Sequence, residues 1–110
     1  MGLLEDIFGS KPDINTLVEE ARQTDNAVLV DVRTPEEFVS GHIEGAYNIP
    51  LDRIDITSQV VKDKSTPLYL YCRSGARSGR ACHYLQSEGY TNAVNMGGIM
   101  SWQGSIVKGS

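Results

Sequence analysis

The stretch Leu68-Tyr69-Leu70-Tyr71-Cys72-Arg73-Ser74-Gly75-Ala76-Arg77 decides how the rest of the chain is read. Its apolar opening reads as a strand, and that strand runs straight into Cys72 and a Ser/Gly/Arg turn. After the turn, Ser78, Ala81, Cys82, Leu85 and Gly89 outline a helix whose small apolar stripe can lie on a sheet. Strand, turn and helix in immediate succession make one half of an α/β unit.

The alternation continues on both sides. Val28-Leu29-Val30-Asp31-Val32 is an almost unbroken apolar run, which suits a strand covered on both faces and hence a parallel sheet. Ahead of it, Ile14, Leu17, Val18 and Ala21 recur at helical spacing behind Asp13 or Asn15 as cap. Behind it, Thr34-Pro35-Glu36-Glu37 has the form of a capping box with Pro at the first helical position, and the helix should end at Ser40-Gly41. Ala46 to Ile49 reads as a brief strand stopped by Pro50, and Leu51, Ile54, Val60 and Val61 suggest a further helical stretch. Ala93 to Met96 gives a last strand, Gly97-Gly98 a tight turn, and Ile99 to Trp102 a closing helical turn. The expected architecture is an α/β sandwich around a parallel sheet.

A chain of 110 residues fits one domain, expected over residues 13–110 behind a short amphipathic leader at 1–12. Forty per cent hydrophobic and 22% charged residues are ordinary globular proportions, so a buried core is within reach. The net charge of -4 argues against a nucleic-acid partner, because neutralising phosphates takes a surplus of Lys and Arg. One local exception stands out: Arg73, Arg77 and Arg80 crowd a short segment that holds no acid. The leader is acidic where a signal peptide is basic, and its apolar run is too short to span a membrane, so no membrane partner and a reducing cytoplasm are expected. Two cysteines are too few for a disulfide scaffold, and neither they nor His42 and His83 have a metal-ligand spacing. Cys82 shares a helical stripe with Ala81 and Leu85, which marks it as a small core residue ahead of a resolving thiol for Cys72.

Cys72 stands where α/β sheets bind ligands, at the carboxyl end of a strand and just ahead of a helix start near Ser78. Successive backbone N–H groups in the turn and the positive end of the helix dipole favour an anion there, and a thiol at that point becomes the anion. The expected site is therefore a Cys72 thiolate, ionised and accessible, with Arg73 and Arg77 forking onto an incoming oxyanion and Gly75 relieving the turn of a Cβ. Arg80 is placed equally well as a solvated side chain.

With these residues in view, the chain resembles the rhodanese family over nearly all its length after the leader. Asp31-Val32-Arg33 with Glu37-Phe38, Gly41-His42-Ile43, Gly45-Ala46 and Asn48-Ile49-Pro50 is similar to the family's first signature. Tyr71-Cys72-Arg73-Ser74-Gly75-Ala76-Arg77 resembles its active-site loop, and Gly97-Gly98 with Trp102 its closing element. The resemblance implies a three-layer α/β/α fold around a central parallel sheet of about five strands. It also implies a persulfide intermediate on Cys72, loaded from thiosulfate or a related donor and passed to cyanide, a thiol or a protein acceptor. By the same carry-over the main-chain N–H groups of Arg73, Ser74, Gly75, Ala76 and Arg77 cradle the terminal sulfur. Asp31, Arg33, Glu37 and Ser78 then support the site without reacting. No metal, nucleotide or flavin is called for. Arg73 in particular resembles the thiosulfate-type loops. The family often continues into a Gly-x-Pro segment, whereas this chain ends Gly104-Ser105-Ile106-Val107-Lys108-Gly109-Ser110.

Two rival readings share these residues. A cysteine phosphatase or arsenate reductase uses a related thiolate loop, but with five residues between Cys and Arg; here four intervene, and Ser78 stands where that arginine belongs. A non-catalytic rhodanese-like binding module would use the loop or the leader to recognise a partner, and the presence of Cys72 counts against it.

Overall fold

The two apolar runs pair with each other at the centre of the molecule. The computed structural model describes residues 12–110, so the leader expected at 1–12 lies almost wholly outside the described residues. In chain order the elements are α1 (Ile14–Arg22), β1 (Val28–Asp31), α2 (Pro35–Ser40), β2 (His42–Ile43), β3 (Tyr47–Asn48), α3 (Thr57–Val60), β4 (Leu68–Cys72), α4 (Ala76–Ser87), β5 (Ala93–Gly98) and β6 (Ile106–Val107). Turns of 3₁₀ helix occupy Leu51–Ile56 and Ile99–Ser101.

The central sheet is parallel throughout, in the order β3-β1-β4-β5. Among the described residues it holds four strands where about five were expected. The short strands β2 and β6 form a separate antiparallel ribbon, His42 opposite Val107 and Ile43 opposite Ile106, which gives the unassigned C-terminal tail a place. β1 has β3 on one side and β4 on the other, so the strand order reverses between β1 and β4, and Cys72 ends the strand beside that switch point.

Side chains of β4 alternate between two cores, as the strand's period of two requires. Leu68, Leu70 and Cys72 face a core that includes Val30, Ala81, Cys82 and Leu85 under α4. Tyr69 and Tyr71 face the opposite core with Ile14, Val18, Leu29 and Met96 under α1. All five residues of β4 are buried, so each side chain is held on both flanks, and truncating one such as Leu70 to Ala costs about 2–5 kcal/mol. The alternation places Cys72 on the face where α4 begins.

The local signals act as their chemistry dictates. Asp13 caps α1, its carboxylate accepting from the Thr16 N–H at 3.1 Å. Thr34 and Glu37 form the reciprocal capping box of α2, with Pro35 at its first position. Three expectations change. The stretch from Leu51 tightens into a 3₁₀ segment, with only the single turn of α3 behind it, and Val60 stays exposed. Gly97-Gly98 is no tight turn: β5 continues through both, with an irregular register in which Leu70 faces Asn95 and Tyr71 faces Gly97. The helix after the cysteine starts at Ala76 and not near Ser78, which puts Arg77 and Ser78 within its first turn.

Candidate active site

Three segments meet around the Cys72 sulfur: the end of β4, the turn 73–75 and the first turn of α4. Gly75 makes the join, with φ at +106° as the N-cap of α4, a left-handed conformation that costs a residue with a Cβ strain. The turn rests on the end of β5. A Cβ at Gly98 would lie 2.2 Å from the Arg73 carbonyl oxygen, and one at Gly75 would lie 3.3 Å from the Gly97 Cα. Backbone therefore packs on backbone here, and the Met100 N–H donates to the Arg73 carbonyl at 3.3 Å to hold the two segments together.

This packing turns hydrogen-bond donors toward the sulfur. The Gly75 N–H donates to Sγ at 3.0 Å, and the Ser78 hydroxyl lies 3.4 Å from it. Burial is the largest influence on the thiol and pushes its pKa up. The Ser78 hydroxyl and the amides of Ser78, Gly75 and Ser74 together outweigh burial, so the net position is below that of an ordinary cysteine. The cause differs in part from the expectation. Hydrogen bonds lower the thiol, and attraction between Cys72 and Arg77 adds less. The other thiol behaves in the opposite way: Cys82, in the core under α4 with no compensating donor, is pushed up to about 12 by burial.

The expected access to the sulfur is corrected. Cys72 is only 1% exposed, closed over by the turn that supplies its donors. Arg73, Ser74 and Ala76 are exposed on the outside of that turn.

Arg77 does not stand open as an anion fork. Its two terminal nitrogens donate to Glu37 on α2, Nη1 to Oε1 at 2.8 Å and Nη2 to Oε2 at 3.0 Å. That pairing with Arg77, helped by the Thr34 N–H, holds the Glu37 carboxyl down at about 2. Glu37 thus supports the loop segment by pairing with one of its arginines. Arg73 makes no ion pair among the described residues, and its guanidinium is the one expected fork left free. Arg77 and Arg80 line a groove of about 700 Å³ with Pro35, Leu51, Ile54 and Tyr84, and Cys72 is not part of its wall.

Behind the loop, the lone acid of β1 has its compensation. Asp31 is fully buried and takes Nε of Arg33 at 3.0 Å and Nη2 at 2.7 Å, while the same Nη2 donates to the Gly41 carbonyl at 2.7 Å. Asp31 is paired in register with Tyr71, the residue before Cys72, and the Tyr71 hydroxyl accepts from the Ile43 N–H at 3.0 Å. The pair therefore ties β1, α2 and β2 to the strand that ends in Cys72, as a buried charge with its hydrogen bonds filled does.

One residue of the neighbourhood went unnoticed in the sequence. Asn95 on β5 accepts from the Ser78 hydroxyl at 2.7 Å and from the Gly97 N–H at 3.0 Å, and donates to the Gly75 carbonyl at 3.1 Å. The available signal was an Asn, a residue disfavoured in strands, placed inside the apolar run Ala93 to Met96.

Comparison with known proteins follows the same lines. The family model for the rhodanese-like domain matches residues 15–105. A sulfurtransferase of Allochromatium vinosum is 41% identical over 92 residues, covering 82% of this chain and 84% of its own length. The thiosulfate sulfurtransferase PspE of Escherichia coli is 38% identical over 81 residues, covering 73% and 78% respectively. Among solved structures, a rhodanese with anions from E. coli superposes with a TM-score of 0.71 at 37% identity, covering 76% of this chain and 99% of its own.

Proposed function

Starting from a chain that belongs to the rhodanese-like family of sulfurtransferases, we propose that Cys72 accepts a sulfane sulfur from thiosulfate or a related small donor and hands it to cyanide, a thiol or a protein acceptor. The single observation that carries this reading is the Gly75 N–H, 3.0 Å from the Cys72 sulfur at the end of a strand.

In the first step the Cys72 thiolate attacks the outer sulfur of thiosulfate. The S–S bond of the donor breaks, sulfite leaves with the electron pair, and Cys72 holds a persulfide. In the second step the acceptor's nucleophile attacks the outer sulfur, the new S–S bond breaks, and Cys72 leaves as thiolate. The amides of Ser74, Gly75 and Ser78 and the Ser78 hydroxyl suit both steps, since a stabilised thiolate is populated as nucleophile and departs readily as leaving group. The cover over Cys72 favours a small donor, and the outer sulfur of the persulfide, one bond further out, is the atom an acceptor meets. Arg73, exposed and without an ion pair among the described residues, is the cation that would attract an anionic donor. The scheme requires no metal, nucleotide or flavin.

Mass spectrometry of the intact protein after thiosulfate treatment tests the reading. One added sulfur is expected on the wild type and none on Cys72→Ser; an unmodified wild type, or sulfur retained on the variant, overturns it.

A further inference from the structure

The Ser78 hydroxyl carries one proton and stands among four acceptors: the Cys72 sulfur at 3.4 Å, Asn95 Oδ1 at 2.7 Å, and the carbonyls of Gly75 and Gly97 at 3.2 and 3.5 Å. Which acceptor takes the proton decides whether the sulfur sees a donor or a lone pair. Asn95 bears on this choice at both ends of its amide. Its Nδ2 donates to the Gly75 carbonyl, which also receives the Gly79 N–H at 3.0 Å. Both lone pairs of that carbonyl are thus engaged, which weakens it as an acceptor for the hydroxyl 3.2 Å away. Its Oδ1, already receiving the Gly97 N–H, holds the hydroxyl in place at the edge of the sulfur.

The fold makes room for this arrangement in two independent ways. Asn95 lies at the irregular step in the pairing of β4 with β5, on an exposed sheet edge from which its side chain reaches back to the loop. On α4, Gly79 leaves the space that Nδ2 uses, since a Cβ there would lie 3.3 Å from that nitrogen.

We infer that Asn95 is a positioning residue for Cys72: it holds the Ser78 hydroxyl at the edge of the sulfur and keeps the Gly75 carbonyl occupied, so that the hydroxyl serves the sulfur when negative charge appears on it. The role rests on the reading of Cys72 as the reacting group. In the resting thiol the Ser78 proton lies on Asn95. When the sulfur ionises, the hydroxyl turns to it, because a hydrogen bond to a charged acceptor is the stronger one, and Asn95 keeps the Gly97 N–H. Without Asn95 the Gly75 carbonyl regains an empty lone pair beside Ser78 and competes with the sulfur.

The test is the pH dependence of Cys72 alkylation, followed by peptide mass spectrometry so that only this thiol is read. Asn95→Ala is expected to raise the midpoint by about one pH unit, the size of one hydrogen bond. Asn95→Asp has the same shape but brings a charged competitor for the Ser78 proton and no donor for Gly75; it should raise the midpoint further and serves as the second variant if the alanine form folds poorly. In the Ser78→Ala background, Asn95→Ala should add little. Val94→Ala, on the opposite face of β5 against the α1 core, controls for general loosening and should leave the midpoint unchanged. A wild-type midpoint in both Asn95 variants overturns the inference, and so does a shift that adds in full to that of Ser78→Ala. If these shifts appear but thiosulfate leaves no sulfur on the wild type, the transfer reading fails and the positioning role stands.

Discussion

Arg77 and Glu37, 40 residues apart, meet fork to fork, with two nitrogens of the one 2.8 and 3.0 Å from two oxygens of the other. The pair joins the first turn of α4 to the first turn of α2, and so clamps the cysteine loop to the helix that follows β1. Glu37 also completes the capping box of α2, so one carboxylate serves two helix starts.

This pairing has a pH signature. The Glu37 carboxyl titrates at about 2 in the folded protein against an ordinary 4.5, so its stabilising effect is complete above 4.5 and fades as the pH falls toward 2. Glu37→Gln should lower stability by about 0.5–1 kcal/mol at neutral pH, the range for a partly exposed pair. Thermal melts should show the gap between wild type and variant closing as the solution is acidified through that window.

Arg73 and Arg77 should separate in kinetics. Arg73→Ala removes an exposed cation that makes no ion pair among the described residues, so KM for thiosulfate should rise severalfold while stability stays within about 0.5 kcal/mol of wild type. Arg77→Ala leaves Glu37 without its partner and should lower both the melting temperature and activity. Equal KM values for Arg73→Ala and wild type would remove Arg73 from donor binding.

The two cysteines should label in sequence. Cys72 lies below the ordinary thiol range and Cys82 is raised to about 12, so iodoacetamide at neutral pH should modify Cys72 alone in the folded protein. In denaturant both should react. Labelling of Cys82 first would contradict the hydrogen-bond argument for Cys72.

Neighbouring glycines should differ sharply. A Cβ at Gly98 meets the Arg73 carbonyl oxygen at 2.2 Å, and Gly98→Ala should displace the loop and abolish sulfur uptake. At Gly97 nothing among the described residues lies within 4 Å of a Cβ, so Gly97→Ala should cost only the strain of φ +102°, about 1–2 kcal/mol by urea denaturation. Loss of uptake in the second variant but not the first would reverse the assignment of which contact shapes the loop.

Breaking the buried pair should be severe. Arg33→Met leaves the fully buried Asp31 without its partner, and a loss of about 3–5 kcal/mol in urea denaturation is expected.

What was legible in the sequence follows the range of the interactions. β1 and β4 were plain because a strand buried on both faces must be apolar at nearly every position, and the caps at Asp13 and Thr34 were plain because their partners lie three residues away. The placing of Cys72 at a strand end ahead of a helix was equally local. The Arg77–Glu37 pair spans 40 residues, and a run of arginines looks the same whether its members face solvent or a distant carboxylate. The cover over Cys72 and the reach of Asn95 to Ser78 depend on how β5 slips against β4 near Gly97, a backbone event that side-chain patterning does not encode. Leu51–Ile56 misled for a related reason: apolar spacing there is compatible with either helix type, and Arg53 breaks the regular dihedrals inside it.

Most donors facing the Cys72 sulfur are main-chain amides, while Arg73, Ser74 and Ala76 point their side chains outward. Under the proposed function, chemistry and recognition are therefore carried by different parts of the same few residues. The outward positions can be exchanged to suit another donor or acceptor without rebuilding the reactive centre, so a catalogue of such loops should vary at its rim far more readily than at its glycines.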